Sequence, residues 1–125
     1  RGWHAMMGIA GFAGTASGLA FKTDTRDPAI AAYFAPVEAK NFKEVVVRMK
    51  VEGTAGNCQL FWAGPGGRPS EATSISLPAI ADGVVHEYRF PVASRASWRA
   101  RVNHLRFDPA SAPGIKVVIE SILMK

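Results

Sequence analysis

Apolar and polar residues alternate with a period of two along most of the chain, as in strands that bury one face. The clearest run is Glu44–Glu52, where Val45, Val47, Met49 and Val51 share one face and Val46, Arg48 and Lys50 the other. Its β-branched content, closed by Gly53, predicts a strand with one face in a core. Asn57–Ala63 predicts the next strand, ended by the turn Gly64-Pro65-Gly66-Gly67. Thr73–Leu77 is short and stops at Pro78, and Asp82-Gly83 is a turn signal leading into a strand over Val85–Val92. Arg101–Phe107 stops at Asp108-Pro109, and Ile115–Met124 forms the last strand after Pro113-Gly114. Upstream, Met7–Phe12 and Gly18–Lys22 add two strands rich in Gly and Ala, while Asp27–Phe34 reads as a turn of helix or an extended loop. About eight strands with evenly spaced turns predict an all-β fold: one antiparallel β-sandwich covering residues 1–125.

Composition agrees with a single domain. With 125 residues, 48% apolar and 20% charged, the chain holds a core and is not disordered. A single cysteine, Cys58, excludes an intrachain disulfide and any cysteine-based zinc or iron–sulfur site. No stretch approaches the ~18–20 apolar residues of a membrane helix. The chain opens at Arg1 with no export signal, so any such signal is expected to have been removed or to lie outside this fragment.

Charge adds a candidate chemistry. The net charge is +5, and between His86 and Asp108 five arginines (Arg89, Arg95, Arg99, Arg101, Arg106) face only Glu87 and Asp108. A field of that sign favours anionic partners, whereas the plain alternative is a solubilising surface. Catalysis has little support: His4, His86 and His104 are scattered without metal-ligand spacing, no Gly-x-Ser-x-Gly elbow is present, and no pair of glutamates stands out. His86 opens a strand with an apolar partner face and is expected to be hydrogen-bonded and structural.

Several runs together resemble a known family. They are Asp27-Pro28, the Val47-Arg48-Met49-Lys50 strand, Gln59-Leu60-Phe61-Trp62, Ser70-Glu71, Asp82–Tyr88, Trp98, Leu105–Pro109 and Val117–Ile122. The pattern is similar to the β-jelly-roll, galactose-binding-like carbohydrate-binding modules of bacterial polysaccharide-degrading enzymes, from about Trp3 to Met124. The resemblance implies a jelly-roll sandwich without catalytic activity, secreted or at the cell surface. It further implies covalent linkage to a catalytic domain that the module attaches to a polysaccharide. A structural calcium is the one cofactor it allows, with Glu120 at a position where the pattern often has an acid.

A glycan module needs an aromatic face to stack on a sugar ring and fixed polar groups to read its hydroxyls. Alternation turns Arg48, Lys50, Arg89 and Arg106 outward, one or two cations on each of three strands. Trp62 is the aromatic candidate and Gln59 a polar one. Either Leu60 and Trp62 or Gln59 and Phe61 face the core, and only the second choice exposes Trp62. The expected function is non-catalytic binding of a polysaccharide, neutral or acidic, by Trp62, Gln59, Arg48, Lys50, Arg89 and Arg106. The bland counterpart is a solvated face with cross-strand pairs such as Arg89 to Glu52 or Glu87, worth roughly 0.2–1 kcal/mol each. Trp98 and Trp3 are expected to pack or plug the sandwich, and Tyr33 and Phe34 form a second aromatic pair. The rival function is a structural or interaction β-sandwich that packs on a neighbouring catalytic domain without binding sugar. Nucleic-acid binding is not expected, because only Trp98 interleaves with the arginines outside the core pattern.

Overall fold

The computed structural model describes residues 2–54 and 56–125. Ten strands form: β1 (Trp3–Met7), β2 (Ile9–Thr15), β3 (Gly18–Thr23), β4 (Ala29–Glu38), β5 (Val45–Glu52), β6 (Gly56–Ala63), β7 (Ser74–Ala79), β8 (Asp82–Phe90), β9 (Arg101–Asp108) and β10 (Lys116–Met124). They make two five-stranded antiparallel sheets, β1-β4-β9-β6-β7 and β2-β3-β10-β5-β8. The architecture is the expected β-sandwich of jelly-roll type.

Two strands exceed the expected count. The run from Met7 to Phe12 belongs to two strands in different sheets, parted at Gly8 (φ +64°), where an added Cβ would collide with Thr25 and Pro28. Ala29–Glu38 is neither helix nor loop but the second strand of the first sheet. Its residues Ala29 to Ala32 are buried on both faces, so tertiary pairing overrides the helical preference of alanine. The β4–β9 register shifts between Tyr33 and Val37, and Pro36, which has no N–H for a ladder, lies in that interval.

The core lies between the sheets, as the alternation required. Val45, Val47, Met49 and Val51 of β5 are buried, and they face Cys58, Leu60 and Trp62 of β6 and Leu105 and Phe107 of β9 in one cluster. Phe90 and Phe107 meet edge to face with centroids 6.1 Å apart, joining the sheets. Trp98, in the loop before β9, donates its indole N–H to the carbonyls of Ala39 (2.9 Å) and Phe42 (3.2 Å), so it packs and pins a loop as expected. Trp3 is half-buried against the core, beside a cavity of about 480 Å³ that it lines with Leu19, Ile119 and Ile122.

Candidate functional site

The six residues expected to bind ligand do not assemble. Arg48 and Lys50 on β5 and Arg89 on β8 project from the outer face of the second sheet. Arg106 on β9 and Gln59 on β6 project from the outer face of the first, across the whole sandwich. Trp62 belongs to neither face. It is 1% exposed, lies edge to face with Trp98 at 5.6 Å, and donates its indole N–H to the Ser97 carbonyl at 3.3 Å. Of the two phases open for β6, the core takes Cys58, Leu60 and Trp62, and Phe61 points outward. The expectation that Trp62 stacks on sugar is thus corrected: a large indole contributes most by filling the core.

On the second sheet the arginines are already paired. Arg48 meets Glu120 at 3.3 Å and Glu87 at 3.7 Å, and Arg89 meets Glu44 at 2.8 Å and Glu87 at 2.9 Å. The Glu44 carboxylate, hydrogen-bonded to Arg89, raises that guanidinium above its ordinary range. Lys50 makes no ion pair among the described residues. Glu120 sits where the β10–β5 register shifts, and its carboxylate accepts from Arg48. A calcium ion needs six or more oxygens. Among the described residues no three acids, histidines or cysteines come together as a metal-holding group, at Glu120 or elsewhere.

The outer face of the first sheet carries a different arrangement. The register sets Tyr33 of β4 opposite His104 of β9, and His104 opposite Ala63 of β6. One step along, Ala31, Arg106, Phe61 and Ser74 lie across the four inner and edge strands in a row. The rings of Tyr33 and His104 are nearly parallel, with centroids 4.0 Å apart, and His4 on β1 lies parallel to Tyr33 at 5.9 Å. Tyr33 is 63% exposed, whereas His104 is buried. Ala63 opposite His104, and Ala31 two residues before Tyr33, add no bulk beside these rings.

Beside the rings lies a polar group. Arg106 donates twice to Asp108, both at 2.8 Å, and its guanidinium covers the Phe61 ring at 4.7 Å. Gln59 donates to Glu71 at 3.0 Å and to the Ser74 hydroxyl at 2.9 Å. Burial pushes the Asp108 carboxyl up, and Asp27 and Glu71 push it the same way against the pull of Arg106. Asp108 in turn raises Arg106. One guanidinium thus stands among three carboxylates, a locally acidic group although the chain is basic.

His104 is pulled down chiefly by burial, then by His4 and Arg106, and its Nε2 has no hydrogen-bond partner among the described residues. The sequence pairing of Tyr33 with Phe34 placed both in a loop region. The structure splits them by strand alternation, Tyr33 outward and Phe34 against the core. His86 is structural as expected, its Nε2–H shared between the two Asp82 oxygens at 2.9 Å. That bond is the main cause holding Asp82 below the usual carboxylate range.

No family model and no curated protein matches the sequence. Solved structures do share the fold. A family 11 carbohydrate-binding module from Clostridium thermocellum, in complex with a β-1,3-1,4-mixed-linked tetrasaccharide, superposes with TM-score 0.63 at 13% identity, over 99% of this chain and 84% of that one. A family 4 module gives TM-score 0.62 at 12% identity, over 99% and 94%. A low-affinity xylan-binding module from Roseburia intestinalis gives 0.59 at 12% identity, over 99% and 90%. The chain therefore has, over almost its full length, the β-sandwich fold of carbohydrate-binding modules.

Proposed function

We propose that this chain is a non-catalytic carbohydrate-binding module that holds a polysaccharide on the outer face of the β1-β4-β9-β6-β7 sheet. One observation carries the reading: an exposed tyrosine ring, backed by a parallel imidazole at 4.0 Å, stands in a strand of that face. An aromatic ring of this kind stacks on the apolar side of a pyranose. Arg106 tied to Asp108, and Gln59 tied to Glu71, supply oriented donors and acceptors for the hydroxyls without prior ordering. Modules of this fold that bind xylan, a mixed-linked tetrasaccharide or mannohexaose support the class of ligand.

The ligand is a neutral glycan rather than an acidic one. The cations expected to hold uronic acids are split between two faces, and three of the four are paired with carboxylates of the chain itself. The three acids around Arg106 offset its charge, so that part of the face has no net positive charge to hold a polyanion. The module serves as an appended unit of a secreted or cell-surface protein acting on polysaccharide.

Affinity gel electrophoresis against xylan, glucomannan, mixed-linked β-glucan and polygalacturonate tests this. At least one neutral gel is expected to retard the protein, and Tyr33→Ala to lose about tenfold in affinity, the ~1.4 kcal/mol scale of one lost ring stack. Unchanged circular dichroism would confirm that the exposed ring was not holding the fold. Retention by polygalacturonate alone, or by no gel, or equal retention of Tyr33→Ala, would overturn the reading.

A further inference from the structure

Buried polar atoms in folded proteins nearly always find a partner, so an orphan one needs a reason. The Nε2 atom of His104 is the buried side-chain nitrogen or oxygen without a partner among the described residues. The residue is 7% exposed. A phenylalanine or leucine would fill this position between Tyr33 and Ala63 without that penalty. What the imidazole adds is a flat ring that can change its charge.

The surroundings decide which charge state is compatible with this position. Across β4 the imidazole faces the Tyr33 ring, and beyond it His4 of β1. On its own strand the nearest charged side chain is Arg106, itself held by Asp108. On β6 the residue opposite is Ala63, which offers no charge. Among the described residues no carboxylate hydrogen-bonds the ring, and the neighbouring ionisable groups that act on it, His4 and Arg106, both oppose a positive charge. A cation stacked on a phenol gains about 0.5–2 kcal/mol. Removing an ion from water costs several kcal/mol. The second effect is larger, so a protonated His104 must leave the stack to reach water.

We propose that His104 is the positioning residue for Tyr33, holding the phenol ring in its sugar-contacting orientation so that glycan affinity follows the protonation state of the imidazole. The sugar half of this inference rests on the reading of the Tyr33 face given above; the positioning half does not. Neutral His104 keeps the two rings parallel. The native state disfavours the proton, so the ring stays neutral above the ordinary imidazole range of about 6.5 and charges only at more acidic pH. Affinity is accordingly full at neutral pH and falls on acidification.

The test uses three proteins: wild type, His104→Ala and His104→Phe. Phenylalanine keeps a flat ring beside Tyr33 and cannot titrate. Proton NMR without sugar reads the Tyr33 ring protons, which the adjacent imidazole shifts upfield. In wild type that shift is expected to disappear with the same midpoint, below 6.5, as the His104 ring-proton titration. It is expected to be absent in His104→Ala at every pH and present at every pH in His104→Phe.

Titration calorimetry with the retained neutral glycan is expected to show affinity falling about five- to tenfold between neutral and acidic pH in wild type, the worth of one stacked ring pair. His104→Ala should show the low value throughout, and His104→Phe should rescue binding without pH dependence. A Tyr33 signal indifferent to His104 titration, or a pH profile retained in His104→Phe, would overturn the inference. Intact NMR coupling with no glycan bound would instead remove the carbohydrate reading and leave the positioning role standing.

Discussion

Replacing Arg106 by alanine is expected to cost stability in a way that pH reveals. In the native protein its guanidinium makes two 2.8 Å bonds to Asp108, with side-chain exposures of only 19% and 11%. Removing one partner of such a pair leaves a carboxylate out of water beside Asp27 and Glu71. Fully buried pairs lose 3–5 kcal/mol in this way, and the residual exposure here places the loss at about 3 kcal/mol at neutral pH. Uncovering part of the Phe61 ring adds about 1 kcal/mol at 25 cal/mol per Å².

The Asp108 carboxyl already lies above its ordinary value through burial, and losing Arg106 raises it further. A carboxyl with a raised folded-state pKa takes up a proton more readily folded than unfolded. The deficit of the variant relative to wild type must therefore shrink as pH falls from 7 toward its ordinary value of about 3.9. Relief of His104 from the nearby guanidinium acts in the same direction. Urea unfolding of both proteins, followed by tryptophan fluorescence across this range, measures the deficit. Arg106→Ala with Asp108→Asn isolates the carboxylate and is expected to recover most of the loss. A deficit constant with pH, or a double variant no more stable than the single one, would refute the account.

Trp62→Ala is expected to destabilise by about 3–5 kcal/mol through a core cavity, seen as an early urea midpoint, with glycan retention kept by the fraction still folded. Arg48→Ala and Arg89→Ala remove pairs whose arginine side chains are 47% and 54% exposed. Each should shift unfolding by under about 1 kcal/mol and leave retention unchanged. Burial pushes the Cys58 thiol up to about 12. Iodoacetamide should leave the native protein unmodified and alkylate it fully in urea, as mass spectrometry would show.

The legible parts of the fold were those where burial follows strict alternation. β5 shows this best from Val47 onward: Val47, Met49 and Val51 are buried, while Arg48 is exposed and Lys50 half-buried on the other face, as read; only Val46 departs, being buried on the outer side. β4 was obscured because both faces of Ala29–Ala32 are covered, which erases alternation and leaves a composition that reads as a turn of helix or an extended loop. Trp62 was ambiguous for a related reason. Leu60 through Ala63 are all buried, but Phe61 is hidden by the Arg106 guanidinium rather than by the core. A contact between β6 and β9 lies far apart in sequence, so no local pattern gives the phase. The candidate site needed the same kind of information. Alternation along β9 turns His104 outward with Arg106, but Tyr33 lies in the stretch that reads as helix or loop, and only the β4–β9 register sets the two side by side.

Net charge misled because the basic stretch crosses from one sheet to the other. Arg89 lies on β8 at an edge of the second sheet, Arg101 and Arg106 lie on β9 within the first, and Arg95 and Arg99 occupy the connection. Packed sheets are about 10 Å apart, and outward side chains add to that separation. The Debye length at physiological ionic strength is about 8 Å, so cations on opposite faces do not sum into one field. Around Arg106 the local balance is reversed by Asp27, Glu71 and Asp108. Binding through Tyr33 stacking and uncharged hydroxyls therefore carries little electrostatic attraction to screen. Retention by a neutral glycan is expected to stay flat as sodium chloride is raised, and a steep fall would show that the paired arginines open to an anionic ligand after all.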